Sequence, residues 1–243
     1  MVGRRGGFIA EGEVVLRVLA RSRLHRARHV LIAQKRVDKL APILGALGAD
    51  VEVFAAAQPV LDTIAGFALH RGILAYGERG PEAEPGRLLA DLDGTAPIVC
   101  LFGIANHDNL GGVFRNAAAF GAAAVLLDSR CCDPLYRKAI RVSVGAALSV
   151  PFVRLAPGED ILALLRRYDF APLALSPGGA TPLARLQPPK RCAVLLGSEG
   201  EGLSAAILSR APTVSIPMAP GFDSLNVATA SGIVLHHLVQ EGA

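Results

Sequence analysis

The regular alternation of short apolar runs with segments of helical periodicity, from residue 97 to residue 241, constrains the fold of this chain most strongly. The apolar runs have the length of buried strands, and the segments between them can form helices. Strands that alternate with helices form a parallel sheet with both faces covered, so we expect an α/β fold. The predicted strands are 97–105, 123–128, 151–155, 171–176, 192–197 and 213–217. The predicted helices are 110–120, 134–148, 159–168, 203–210 and 224–241.

The first 78 residues show the same mixture on a smaller scale and predict a separate α/β domain. Its helical segments are GEVVLRVLARSRL, VDKLAPILGALGA and QPVLDTIAG, and its strand candidates are ARHVLIA, DVEVFA and RGILAYG. The stretch ERGPEAEPG (Glu78–Gly86) is rich in Pro, Gly and Glu, as is typical of a linker. The sequence therefore predicts a first domain over residues 1–78, a linker over 79–94 and a second domain over 95–243.

Composition indicates a folded chain with no membrane span, since 51% of its 243 residues are hydrophobic and 19% are charged. The longest apolar runs, such as PIVCLFGIA, have strand length. An acidic residue follows the N-terminal arginines too soon for a signal peptide. The cysteines show no metal-site or C-x-x-C spacing, so we expect reduced thiols in a cytoplasmic protein. They are Cys100, Cys131, Cys132 and Cys192.

Charge is distributed unevenly between the two parts of the chain. Residues 1–80 hold 12 Lys and Arg against 7 Asp and Glu, whereas residues 81–243 hold 13 against 14. An excess of positive charge in one part suggests that it binds a polyanion. A solvated helix face would explain the same charges, so this pattern does not decide between the two.

Several common enzyme signatures are absent from the sequence. It contains no G-x-G-x-x-G between a strand and a helix, no G-x-x-x-x-G-K-[ST] and no G-x-S-x-G. Its histidines do not have the spacing of metal ligands. These absences disfavour a dinucleotide-dependent dehydrogenase, a P-loop NTPase, a serine hydrolase and a methyltransferase with the open Rossmann fold.

Three polar segments, each directly after a predicted strand, carry the functional prediction. They are NHDNLGGVFRNAAAFG (106–121), LLGSEGEGLS (195–204) and IPMAPGFDSLNVATASG (216–232). Sites on parallel sheets form in the loops at the carboxyl ends of strands, so the three segments can meet in one crevice. Their patterns are N-x₅-R, G-x-E-x-x-G-L-S and I-P-M-x₅-S-L-N-V. In this order they resemble the SpoU (TrmH-type) branch of the SPOUT RNA methyltransferases.

The resemblance covers residues 95–240 through these motifs and implies both a fold and an activity. The implied fold is a SPOUT-type parallel sheet with a C-terminal trefoil knot, preceded by a small α/β substrate-binding domain. The implied reaction is 2′-O-methylation of ribose in ribosomal or transfer RNA, with S-adenosylmethionine as the methyl donor. The implied assembly is a homodimer through the catalytic domain, with no metal and no membrane contact. The type of the first domain favours ribosomal RNA over tRNA.

The resemblance places five polar side chains beside the reacting ribose. Arginine normally stays protonated, so we expect Arg115 to position the hydroxyl and to stabilise the developing alkoxide. Asn109 would orient Arg115 or the ribose, and Glu199 would pair with Arg115 or hold the ribose. Ser224 and Asn226 would line the same site. Simpler roles are a helix cap for Asn109 or Ser224, a surface position for Arg115 and a solvated loop acid for Glu199.

The remaining expectations concern the cofactor, the dimer and the RNA. The small residues of the last helix, Ala228, Ala230, Ser231 and Gly232, would permit close packing at a dimer seam. Aromatic residues make up 5% of the chain, which limits base stacking to residues such as Phe8 or Tyr76. The expected cofactor-binding residues are Leu196, Gly197, Ile216, Met218 and Leu225. The expected RNA-binding residues are Arg4, Arg5, Arg23, Arg26 and Arg28.

Two alternatives remain open at the level of the sequence. One is an RNA-binding protein that has kept the fold without catalysis, which the complete set of polar site residues argues against. The other is a methyltransferase of the same fold that modifies a different RNA atom, such as a base nitrogen. The S-L-N signature favours ribose over a base, but only by analogy.

Overall fold

The structure, a computed structural model, describes residues 6–241 and divides them into two compact units. The first unit takes the described residues up to Glu82 together with Asp133–Ser149. The second takes Ala83–Cys132 and the described residues from Val150 onward. No helix among residues 6–241 is long and apolar enough to cross a membrane.

Strands and helices alternate along most of the described chain. The strands are β1 (Gly7–Glu11), β2 (His25–Ala33), β3 (Glu52–Ala56), β4 (Ile73–Arg79), β5 (Ile98–Leu101), β6 (Ala124–Leu127), β7 (Phe152–Arg154), β8 (Ala171–Leu175), β9 (Thr181–Pro182), β10 (Cys192–Leu196) and β11 (Thr213–Ser215). The α-helices are α1 (Glu13–Arg21), α2 (Val37–Leu44), α3 (Gln58–Ala65), α4 (Pro85–Ala90), α5 (His107–Ala119), α6 (Arg137–Val142), α7 (Ile161–Arg167), α8 (Ala205–Leu208) and α9 (Val227–Glu241).

The first unit is built on a four-stranded sheet in the order β1-β4-β2-β3. β4 runs antiparallel to β1 and β2, while the edge strand β3 runs parallel to β2. Phe8 on β1 pairs with Gly77 on β4, and any side chain on Gly77 would overlap the Phe8 ring. Phe8 is therefore completely buried and belongs to the core, so the expectation that it could stack on bases is wrong.

The second unit is built on a seven-stranded sheet in the order β7-β6-β5-β10-β8-β11-β9, in which every described pair of strands is parallel. The central strands β5 and β10 are buried along their whole length, as expected for strands covered on both faces. This sheet confirms the predicted α/β fold. It is consistent with the trefoil knot that the resemblance implies.

Helices α5 and α9 of the second unit pack closely together through small residues. A Cβ atom on Gly112 would lie only 2.6 Å from the Ala228 Cβ, so the contact requires glycine. Asn116 donates hydrogen bonds to the Ala228 carbonyl at 2.6 Å and to Ser231 Oγ at 2.9 Å. Asn116 also lies against Gly232. These small residues thus serve packing within one chain, and the dimer seam expected at Ala228, Ala230, Ser231 and Gly232 stays a prediction.

Element boundaries differ from the sequence prediction at several positions, and strands β1 and β9 were not predicted. The helix predicted over 134–148 is only α6, followed by a 3-10 turn at Ala146–Leu148, because Val144 and Gly145 both adopt positive φ angles. The segment expected as a linker, 79–94, holds the last residue of β4 and the whole of α4. Glu84 caps α4 by accepting hydrogen bonds from the backbone N–H groups of Gly86 and Arg87. The functional division into a substrate-binding domain and a catalytic domain remains a proposal.

We predict that Gly112→Val lowers the free energy of unfolding by roughly 1–3 kcal/mol, because the added side chain must push α9 away from α5. Urea unfolding followed by circular dichroism measures this change. Gly178→Ala is the matched control, since a Cβ at Gly178 meets no atom within 4 Å, and its effect should stay within about 0.5 kcal/mol. Equal stability of Gly112→Val and wild type would show that the helix contact is not tight.

Candidate functional site

A cavity of about 700 Å³ lies in the second unit, at the carboxyl ends of β8, β10 and β11. Two loops form much of its wall, the Glu199 loop (residues 197–204) and the Asn226 loop (residues 216–226). All five residues expected to bind a cofactor line this cavity: Leu196, Gly197, Ile216, Met218 and Leu225. Glu199, Ser224 and Asn226 line it as well. The second and third sequence motifs therefore meet around one cavity.

Glycines determine the shape of the Glu199 loop. A side chain on Gly197 would overlap the backbone of Gly202 and Leu203, so this position admits only glycine. The loop folds back through a hydrogen bond from the Gly202 N–H to the Ser198 carbonyl, at 3.0 Å. Gly200 and Gly202 both have positive φ angles, which other residues rarely adopt. This tight turn holds Glu199 at the wall of the cavity.

The side chain of Asn226 joins all three sequence motifs. Its Oδ1 accepts hydrogen bonds from the backbone N–H groups of Ala228 at 2.9 Å and Thr229 at 3.3 Å, and so caps α9. Its Nδ2 donates to Asn109 Oδ1 and to Glu199 Oε1, both at 2.9 Å. One side chain thus ties the first motif, the Glu199 loop and the start of the last helix together.

Asn109 lies inside the first turns of α5 and is 8% exposed. The cap of that helix is Asn106, which accepts a hydrogen bond from the Asp108 N–H at 2.8 Å. Asn109 therefore does not cap α5, and its side-chain oxygen accepts the hydrogen bond from Asn226 instead. Ser224 likewise does not cap α9, because Asn226 does so. Ser224 is exposed and bonds to Asp223 at 3.4 Å.

Arg115 does not join this group of residues within one chain. It is exposed on α5 and absent from the cavity wall, and among residues 6–241 no side chain or carbonyl forms a hydrogen bond or ion pair with its guanidinium. Asn109 and Arg115 are about 9 Å apart along the helix axis and about 120° apart around it. Gly112 and Asn116 face α9, whereas Arg115 faces a different side. The first motif therefore contributes Asn109 to the cluster and leaves Arg115 outside it.

The cavity also contains residues that the motifs did not indicate. Ser176 and Pro177 follow β8 and line the cavity together with Leu175. The sequence signal for them is the stretch LALSPGG, an apolar strand that ends in Ser and Pro. Asp223 lines the wall beside Ser224.

The second unit holds three buried cysteines, Cys100, Cys131 and Cys192. Within the part of the chain that the structure describes, no group of three or more His, Cys, Asp or Glu could hold a metal ion. Burial raises the pKa of Cys131 to about 12 and that of Cys192 to about 11. Burial also raises the pKa of Cys100. These three thiols therefore stay protonated and are poor nucleophiles.

The arginines expected to bind RNA differ in their surroundings. Arg23 and Arg26 are exposed in the first unit. Arg28 forms ion pairs with Asp50 at 2.7 Å and Glu78 at 2.8 Å, which partly neutralise it. Hydrogen bonding to Glu78 raises the pKa of Arg28 further. Arg4 and Arg5 lie outside the described residues.

Comparison with known proteins agrees with the resemblance that the motifs indicated. A sequence model of the SpoU rRNA Methylase family matches residues 96–236. An uncharacterized tRNA/rRNA methyltransferase of Mycobacterium bovis is 38% identical over 239 residues, which cover 96% of this chain and 81% of that protein. The 23S rRNA (guanosine-2′-O-)-methyltransferase RlmB of Salmonella typhimurium is 31% identical over 89% of this chain and 91% of its own length.

A solved structure supports the fold over nearly the whole chain. The AdoMet-bound rRNA methyltransferase from Sinorhizobium meliloti superposes with a TM-score of 0.80 at 24% identity. The superposition covers 97% of this chain and 87% of that one. At this level of identity the likeness concerns the fold.

We predict that Asn226→Ala lowers the free energy of unfolding by about 1 kcal/mol, since α9 loses the side chain that caps it. Ser224→Ala is the control from the same loop, and its effect should stay within about 0.5 kcal/mol because Ser224 caps nothing. Urea unfolding of the two variants measures both values. A larger loss for Ser224→Ala than for Asn226→Ala would overturn the assignment of the cap.

Proposed function

The chain belongs to the SpoU rRNA Methylase family, and we propose that it transfers a methyl group from S-adenosylmethionine to a ribose 2′-hydroxyl of structural RNA. The observation that carries this proposal is the side chain of Asn226. It bonds to Asn109 and Glu199 beside a cavity large enough for a cofactor. The 2′-hydroxyl as acceptor rests further on the similarity to RlmB, which is a guanosine-2′-O-methyltransferase.

The cavity fits S-adenosylmethionine in size and in chemistry. Its volume of about 700 Å³ lies within the range of small-molecule sites, roughly 300–1,000 Å³. Leu196, Ile216 and Met218 supply apolar wall for the adenine, while Gly197 allows close approach to the backbone. Three carboxylates, Glu199, Glu201 and Asp223, also line the cavity. Negative charge at the wall favours a ligand that carries sulfonium and ammonium groups.

The protein residues then have to orient the ribose and stabilise the charge that develops on its oxygen. The cofactor, when bound, supplies an electrophilic methyl group, so neither a metal nor a covalent intermediate is required. Asn109, Glu199 and Asn226 form a hydrogen-bonded wall that can hold the ribose hydroxyl and its neighbours. In this proposal the Arg115 guanidinium lies against the 2′-oxygen and stabilises the negative charge that develops on it. Ser224 completes the polar wall.

Ribosomal RNA is the substrate class that we favour, with tRNA as the alternative. RlmB, which matches 89% of this chain, methylates 23S rRNA according to its name. Arg23 and Arg26 in the first unit are exposed and available to phosphates, whereas Arg28 is committed to two carboxylates. An RNA substrate together with four free cysteines supports a cytoplasmic location in this proposal.

A homodimer would resolve the position of Arg115, which the single chain leaves outside the cluster. Several apolar side chains of the Asn226 loop and of α9 are exposed, namely Phe222 (76%), Val239 (40%), Ile233 (38%) and Leu225 (38%). A second copy that covers these residues would place a further surface beside the cavity. We therefore propose that Arg115 of one copy completes the site of the other.

Methyl transfer from labelled S-adenosylmethionine to RNA from cells that lack this protein tests the proposal. We expect label in one RNA species, at one linkage that resists alkaline cleavage. Arg115→Ala should lower the rate by at least about 100-fold, since it removes charge stabilisation from the transition state. Arg167→Ala, an exposed arginine on α7, is the control and should retain the wild-type rate. Cofactor binding without any labelled RNA would instead favour the non-catalytic RNA-binding alternative.

Mixing two inactive variants tests whether Arg115 acts between copies. In a mixed dimer of Arg115→Ala and Glu199→Ala, a shared site leaves one site intact and one doubly defective, so activity should recover to about half of wild type. Differently tagged chains allow the mixed dimer to be purified before the methyl-transfer assay. A mixed dimer as inactive as its two parents would place Arg115 in the site of its own chain.

A further inference from the structure

We propose that Arg130 binds a phosphodiester of the RNA beside the site, as a second guanidinium held in place by Asp128. Arg130 belongs to none of the three sequence motifs and lies in the loop that follows β6. The inference rests on the proposed function, because it identifies an RNA contact for that same site. It is based on the hydrogen bonds that hold the Arg130 side chain and on the position of this side chain beside Gly103 and Ser198.

The carboxylate of Asp128 holds the Arg130 side chain in place. Its Oδ1 accepts hydrogen bonds from the backbone N–H groups of Gly103, Arg130 and Cys131, each at 3.0 Å. Its Oδ2 accepts a hydrogen bond from Arg130 Nε at 3.2 Å. Burial alone would raise the pKa of Asp128, but the bonds from Gly103, Cys131 and Arg130 outweigh it and lower this pKa below its usual range. The carboxylate therefore remains charged and keeps the inner edge of the guanidinium fixed.

The loop that carries Asp128 and Arg130 is held by a further set of hydrogen bonds, which do not involve the Asp128 carboxylate. Arg154, at the end of β7, donates hydrogen bonds to the backbone carbonyls of Asp128, Cys131 and Cys132 at 3.1, 2.7 and 2.9 Å. The Cys132 N–H in turn donates to the Ile104 carbonyl at 2.8 Å. The position of Arg130 is thus set by a rigid turn rather than by a free surface loop.

The outer edge of the guanidinium lies close to Gly103 and Ser198. A Cβ placed on Gly103 would lie 3.6 Å from Arg130 Nη2 and 3.6 Å from the Ser198 Cβ, so both side chains flank this glycine. Ser198 lines the cavity and directly precedes Glu199. Gly103 lies in the loop that connects β5 to α5, which leads to Asn109. Arg130 therefore borders the same crevice as the Asn226 cluster.

The terminal nitrogens of Arg130 suit a phosphate. The side chain is 67% exposed, and within residues 6–241 no acceptor bonds to its terminal nitrogens. A guanidinium anchored through Nε presents its remaining N–H donors in a planar fork, the geometry that matches phosphate oxygens. Nucleotides flanking a ribose in the crevice carry such phosphates. Since a phosphate contact reads no base, the ligand class is any phosphodiester of the substrate strand.

The salt dependence of RNA binding tests this contact separately from catalysis. The probe is a fluorescein-labelled oligouridylate, titrated at several salt concentrations against the full-length protein. Arg130→Ala should weaken binding about tenfold at low salt and make the slope of log K against log salt shallower by about 0.7. Arg130→Lys should recover most of the slope, because it keeps the charge. On an RNA that wild type methylates, Arg130→Ala should raise KM and leave kcat nearly unchanged.

Arg87→Ala is the matched control, because Arg87 also pairs with an aspartate, Asp91, but lies on α4, which packs against the edge strand β7. It should leave both affinity and slope at the wild-type values. An unchanged slope in Arg130→Ala, or an equal change in Arg87→Ala, would overturn the inference. The slope of log K against log salt is measured by binding alone and requires no methyl transfer. If wild type transfers no methyl group but Arg130→Ala still shows the expected shallower slope, the proposed function is rejected and the phosphate contact is retained. If Arg130→Ala does not fold, Arg130→Gln gives the same comparison.

Discussion

The candidate site depends on the four hydrogen bonds of one carboxamide, the side chain of Asn226. An amide can accept and donate at the same time, and Asn226 uses both capacities fully. Its oxygen accepts from the first N–H groups of α9, and its nitrogen donates to Asn109 and Glu199. Serine or threonine could cap the helix equally well, but neither could also donate two hydrogen bonds to separate partners. The same residue therefore starts a helix and connects three distant segments of sequence.

This junction forms only because the elements around it approach closely. Gly112 brings α5 against Ala228 of α9, and Gly197 lets the Glu199 loop lie on the backbone of residues 202 and 203. Asn116 then bonds to the first turn of α9. Glycine at these positions allows close approach, and the geometry of the Asn226 cluster follows from it. A side chain at either glycine would separate the partners of Asn226.

Much of this fold could be predicted from the sequence because each signal was local. Buried strands such as β5 and β10 read as apolar runs, and the parallel sheet follows from their alternation with helices. The presence of three polar loops at strand ends predicted one crevice, and the structure brings Asn109, Glu199 and Asn226 together. Which of Ser224 and Asn226 caps α9 could not be predicted, since both are good caps and lie two residues apart.

Other features depended on contacts between residues far apart in sequence. The small residues of α9 predict close packing but not the partner, which is α5 of the same chain for Ala228 and Ser231. Phe8 looked available because nothing local shows that Gly77 leaves room for its ring. Arg130 belongs to no sequence motif, and its hydrogen bond to Asp128 forms only in the folded loop.

Asn226→Asp tests the central claim most directly, because aspartate caps helices as well as asparagine but cannot donate to Asn109 and Glu199. Rates of methyl transfer and urea unfolding should be measured on the same preparation. The account predicts a free energy of unfolding within about 1 kcal/mol of wild type and a rate lowered by at least about tenfold. A variant that folds normally and methylates RNA at the wild-type rate would contradict the claim that Asn226 organises the site.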